Sequence, residues 1–129
     1  MQKDNRLYQL AENVLKNSVK LKKGEKIYIE AFGPAVLDLM EIFIRKATEL
    51  GGVPFYFYND EHLLKAVIDN ASEEQMKAFG ETYRQQMASS DVYVALRGYD
   101  DIFALSDVNE RQMALYLSLI HISEPTRLA

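Results

Sequence analysis

The chain has no cysteine, which excludes a disulfide framework and any thiolate-held metal. That agrees with a cytoplasmic setting. It has two histidines, His62 and His121, whereas a protein metal site needs three or more converging ligands. No apolar run approaches the ~20 residues of a membrane-spanning helix. Residues 1–6 are polar with no apolar run behind them, so no signal peptide is expected. The net charge is -4, which leaves no general basic footprint for nucleic acid. The longest basic cluster, Lys16, Lys20, Lys22, Lys23 and Lys26, reads as cations offsetting a helix C-terminus. A zinc-peptidase HExxH, a P-loop and a G-x-S-x-G elbow are all missing. Only Gly33 follows the first expected strand, so the dinucleotide fingerprint fails as well. There are no internal repeats and no low-complexity linker.

What is present supports one folded domain. Hydrophobic residues make up 48% of the chain and charged residues 26%, enough for a core and unlike a disordered segment. Residues 1–116 have the usual size of a single domain. The remainder, residues 117–129, is expected to be non-native. Leu117-Ser-Leu-Ile-His-Ile-Ser-Glu-Pro-Thr-Arg127 matches an in-frame translation of a transposon-end adaptor used in sequencing libraries. On that reading the natural sequence continues differently after Tyr116, and His121 drops out of any set of ligands or bases.

Leu7, Leu10, Ala11, Val14 and Leu15 recur at helical spacing and predict an amphipathic helix from Asp4 or Asn5 to about Ser18. A turn at residues 22–25 leads into a strand at 26–31. Gly33 and Pro34 break it, and Pro34 suits a first helical turn. Val36, Met40, Phe43, Ile44 and Ala47 trace the next apolar face, closed by Gly51 and Gly52. Residues 53–58, almost all apolar or aromatic, predict a second strand covered on both faces. Pro54 should lie at its start or on a side free of pairing. A short helix is expected over 62–70. Ser72-Glu-Glu-Gln75 is a capping box opening a helix with Met76, Phe79, Tyr83 and Met87 on its apolar side. A third strand follows at 92–96, then a loop at 97–101, and a last helix near Asn109 carrying Met113 and Leu115. Strand–helix alternation predicts an α/β fold: a mainly parallel, doubly wound sheet with flanking helices.

In such sheets ligands bind outside the carboxyl ends of strands. The candidate ligand loop is therefore Arg97, Asp100 and Asp101, with Glu30 at the end of the first strand. Arg97 suits a carboxylate, and the two aspartates suit a cation or a proton. The blander reading, which the residues favour, is a polar turn with Arg97 tied to a neighbouring acid. His62, beside Asp60 and Glu61, reads as a solvated residue at a helix start. Tyr56 and Tyr58 read as packing residues. No catalytic or metal-ligating residue is identified.

Four segments, in order, carry a resemblance over residues 1–116. They are Asn17-Ser-Val-Lys-Leu-Lys-Lys-Gly-Glu-Lys-Ile-Tyr-Ile-Glu30, Ala47-Thr-Glu-Leu-Gly-Gly-Val-Pro54, Ser90-Asp-Val-Tyr-Val-Ala-Leu-Arg-Gly98 and Leu105-Ser-Asp-Val108. Together they resemble the N-terminal domain of the aminopeptidase T/aminopeptidase S family, often described as leucyl aminopeptidases or thermophilic metallopeptidases. The resemblance implies an N-terminal fragment of a larger two-domain, cytoplasmic hydrolase that removes N-terminal residues from peptides. It implies two divalent metal ions, zinc, cobalt or similar, held in a C-terminal catalytic domain. Metal-bound water would attack the scissile carbonyl there. None of the family's ligands has a counterpart in this chain, so the fragment itself is expected to be inactive and without cofactor. Its implied partners are that catalytic domain and peptide substrates, with no nucleic acid or membrane. Apolar residues near Tyr116 lead to an expected homo-oligomer joined at that end. The alternatives are a small-molecule binding module and a non-catalytic interaction domain.

Overall fold

The computed structural model describes residues 5–97 and 127–128. The expected helix near Asn109, with Met113 and Leu115, lies outside them. The first helix, α1 (Asn5–Asn13), continues through a π-helical turn, Val14–Ser18. Its stripe buries Ala11 and Leu15 completely. The strand β1 (Lys26–Phe32) follows, and then a single 3-10 turn, Pro34–Val36, leads into α2 (Leu37–Glu49). Gly33 takes φ 92 at this junction, a conformation that side chains with a Cβ rarely adopt.

A Schellman motif ends α2. Gly52 N–H donates to Ala47 C=O at 2.9 Å and Gly51 N–H to Thr48 C=O at 3.0 Å, with Gly51 at φ 88. The chain then enters β2 (Val53–Asn59), α3 (Glu61–Ile68), α4 (Glu73–Ala88) and β3 (Val92–Arg97). Asp60 caps α3 by accepting from Leu63 N–H at 2.9 Å. The capping box at α4 forms as expected: Gln75 N–H donates to Ser72 Oγ at 3.1 Å, and Ser72 N–H to Gln75 Oε1 at 2.9 Å.

The strands pair in parallel, in the order β2-β1-β3-β4. The short strand β4 is Arg127–Leu128, set parallel against Val92 and Tyr93. The parallel α/β expectation therefore holds. Alternation along each strand separates two faces. Ile27, Ile29 and Ala31 join Val92, Val94 and Leu96 on one face, under α1 and α2. Tyr28 and Tyr93 lie on the other, under Tyr83 and Met87 of α4. Helices thus cover both faces, as a doubly wound sheet requires.

Two expectations change. Ile42, outside the anticipated stripe of α2, is fully buried. The cause is that α1 packs on α2, so α2 is covered from two directions rather than by the sheet alone. The salt bridge from Lys46 to Glu12, 3.2 Å, crosses this seam; with the i,i+4 pair of Lys16 and Glu12 at 2.9 Å within the first helix, it holds the Glu12 carboxyl below its usual range. Lys16 and Glu12 are exposed and Lys46 is partly covered, so the gain in stability is small. Second, β2 is not covered on both faces. Among the described residues it is the end strand of the sheet, with Phe55 48% and Tyr56 68% exposed. Its aromatic content misled because a run rich in β-formers suits an edge as well as a centre. Tyr56 is accordingly not a packing residue, whereas Tyr58 packs against the core.

Candidate functional site

The strand order changes direction between β1 and β3. Chain leaves β1 toward β2 on one side and returns past it to β3 on the other. This is the switch point at which doubly wound sheets bind ligands, and it holds Glu30 and Arg97.

Glu30 is not in a turn. Residues 31 and 32 continue the ladder, with Phe32 opposite Asn59 and Arg97, so Glu30 sits inside β1 at 1% exposure. The parity of the strand places it on the face of Tyr28, toward α4. Two phenols meet its carboxylate. Tyr83 of α4 donates to Oε2 at 2.6 Å and Tyr93 of β3 to Oε1 at 2.5 Å. The two hydroxyls lie 3.1 Å apart. Tyr28 frames the cluster, stacked on Tyr93 at 6.0 Å and edge-on to Tyr83 at 6.4 Å. Its own hydroxyl donates to Gln86 Oε1 at 3.3 Å.

Burial pushes the Glu30 carboxyl above its ordinary range, against the two phenol bonds and the nearby positive charge of Arg97. Burial first, and then the Glu30 charge, drive both phenols upward, Tyr83 more strongly than Tyr93. Neither phenol can serve as a base near neutral pH. With Tyr83 and Tyr93 also buried, the cluster is closed to solvent. It is a satisfied polar knot joining β1, β3 and α4, and its carboxylate oxygens are both engaged.

Arg97 is the last residue of β3 and exposed. Its guanidinium lies over the Phe32 ring, 4.7 Å from the centroid, an ordinary cation–π distance. The structure thus brings Glu30 and Arg97 to one face of adjacent strands but gives them different surroundings. Asp100 and Asp101 lie outside the described residues. His62 is 86% exposed, 3.3 Å from Glu61.

Tyr83 and Tyr93 escaped the reading of the sequence, where Tyr83 was a core residue of a helix and Tyr93 a strand residue. The signal was Glu30 itself: one acid within an apolar strand must find partners if it is buried, and Tyr93 shares its sheet face.

Residues 3–119 match the family model of the thermophilic metalloprotease (M29). The chain belongs to this family. Among solved structures, wild-type AmpT from Thermus thermophilus superposes with a TM-score of 0.65 at 20% identity. The match covers 89% of this chain and 30% of that one; at this identity the likeness concerns the fold. No curated protein gives a significant match. An M29 metalloprotease needs a metal centre, and such a centre takes about three or more protein ligands. Among the described residues no three histidine, aspartate or glutamate side chains converge on one point. Those residues do not fit the metal.

Proposed function

We propose that the chain is the N-terminal, non-catalytic part of a metal-dependent aminopeptidase acting on the N-termini of peptides in the cytoplasm. The observation that carries the reading is the family match over residues 3–119 together with a span of only 30% of the AmpT chain. In this proposal two divalent ions and their ligands belong to sequence beyond this chain. The described part contributes a rigid α/β layer against which that sequence packs. The Glu30 knot keeps β1, β3 and α4 in fixed relation, and so holds Arg97 at the sheet end where a ligand or a neighbouring domain would meet it. No described helix is long and apolar enough to cross a membrane.

Residues 117–129 are, on the same proposal, foreign to the natural protein. The test is to amplify the locus independently and read past Tyr116. The expected result is an open frame that departs from the Leu117–Arg127 peptide and later encodes clustered glutamate, histidine and aspartate. Recovery of that same peptide followed by a stop codon would overturn the proposal.

A further inference from the structure

The carboxyl end of the sheet sets two unmatched donors on one face. Asn59, Phe32 and Arg97 stand opposite one another across β2, β1 and β3, so their side chains leave the same side of the sheet. By the parity of β1 it is the side of Tyr28 and Glu30. Asn59 is 7% exposed. Its Oδ1 accepts from Asp60 N–H at 2.9 Å, which fixes the orientation of the amide. Among the described residues its Nδ2 donates to nothing. A buried donor without an acceptor costs free energy and is rare in folded proteins.

Arg97 brings the second set of donors. Its guanidinium lies over the Phe32 ring, 4.7 Å from the centroid, and among the described residues no carboxylate pairs with it. Glu30 is near enough for the two charges to interact, but Tyr83 and Tyr93 take both of its oxygens. By leaning over Phe32, Arg97 reaches across β1 toward the strand of Asn59. Neighbouring strands lie about 4.8 Å apart, so the two backbones are roughly 10 Å apart. The long arginine side chain narrows that gap to the width of a small ligand.

We propose that this strand end binds a small monocarboxylate that carries a second oxygen acceptor. The carboxylate takes the paired N–H groups of the Arg97 guanidinium, a geometry the two planar groups share. The second oxygen accepts from Asn59 Nδ2. Phe32 steadies the guanidinium from below. A monoanion suits the site better than a phosphate dianion, because Arg97 is its one cation among the described residues and the chain carries a net charge of -4. The acylated C-terminal residue of a peptide and a free N-acyl amino acid share this chemistry. The inference needs the strand-end geometry and not the activity proposed above.

N-acetylalanine is the probe, titrated into the isotope-labelled 129-residue chain and followed by NMR. Saturable binding in the millimolar range is expected, with the Asn59 side-chain amide among the resonances that move most. N-acetylalaninamide, which lacks the carboxylate, and acetate, which lacks the second acceptor, should each bind at least fivefold more weakly. Trialanine separates the two sources: binding equal to that of N-acetylalanine supports a peptide terminus, and weaker binding supports a free acid. Arg97→Ala and Asn59→Asp should each weaken N-acetylalanine at least tenfold. Arg45→Ala, an exposed site on α2, should not. Arg97 is exposed, so Arg97→Ala keeps the test decisive should Asn59→Asp fail to fold. No saturation by N-acetylalanine would overturn the proposal. So would equal binding of its amide, tighter binding of inorganic phosphate, or full affinity in Arg97→Ala.

Discussion

Replacing Glu30 by alanine is expected to destabilise the fold strongly, whereas replacing it by glutamine is expected to do little. The carboxylate is the shared acceptor for Tyr83 and Tyr93 at 2.6 and 2.5 Å. Alanine removes that acceptor and opens a void beside two buried hydroxyls. They can still bond each other, being 3.1 Å apart, so one donor is left without a partner. An orphaned buried polar group costs about 1–3 kcal/mol, and the lost packing adds to it. We expect Glu30→Ala to cost about 2–4 kcal/mol in all, a fall in melting temperature on the order of 10 °C. Glutamine keeps the shape and one acceptor oxygen, and its amide can donate to the other phenol.

The two variants also differ in pH response. Burial raises the carboxyl of Glu30 above the ordinary 4.5, so the folded chain holds its proton more tightly than the unfolded chain does. That contribution is fully present below the unfolded value and is lost as pH rises through the raised folded value. As pH rises above the ordinary carboxylate value, Glu30→Gln should therefore lose less stability than the wild type. Denaturant unfolding of both proteins across that window is the check. Parallel curves would show that Glu30 titrates at an ordinary value.

The second large effect lies in the core. Phe43 of α2 is 1% exposed, among Met40, Ile42 and the apolar face of β1 and β3. Phe43→Ala is expected to cost about 3–5 kcal/mol, a large share of the roughly 5–15 kcal/mol that holds a typical domain together. Phe55→Ala removes the same ring from β2, where it is 48% exposed, and should cost under about 1 kcal/mol. Thermal unfolding of the two variants at a concentration where the chain is monomeric separates them. Equal losses would mean that β2 is covered and that the edge assignment is wrong.

The fold was legible where one local rule acts alone. The helical spacing of Leu7, Ala11, Val14 and Leu15, the capping box at Ser72, and the stop at Gly51 and Gly52 each led to the element that forms. Parallel pairing followed from alternation of strands and helices. The position of Pro54 was legible too, because a residue without an N–H must avoid the ladder, and it faces the open side. Strand order was not legible. Whether an aromatic run sits at the centre or edge of a sheet depends on partners distant in sequence, and so the exposure of Phe55 and Tyr56 was missed. Burial of Ile42 was missed for a related reason, the packing of α1 on α2.

Glu30 and Arg97 were picked out as candidates by their place near strand ends. The closed knot around Glu30 was not, since it needs Tyr83 brought from α4, 53 residues further along the chain. No local pattern encodes that distance. The knot also changes what Glu30 can do: a carboxylate held by two phenols and sealed from water shapes the sheet rather than meeting a substrate.

The most direct test of the central claim is metal binding and turnover by the 129-residue chain set against the product of the longer natural frame. Zinc and cobalt titrations by calorimetry and hydrolysis of leucyl-p-nitroanilide serve for both proteins. The account predicts no tight metal site and no turnover for the 129-residue chain, with both present in the longer protein. A micromolar metal site in the 129-residue chain, or hydrolysis proportional to its concentration, would contradict it.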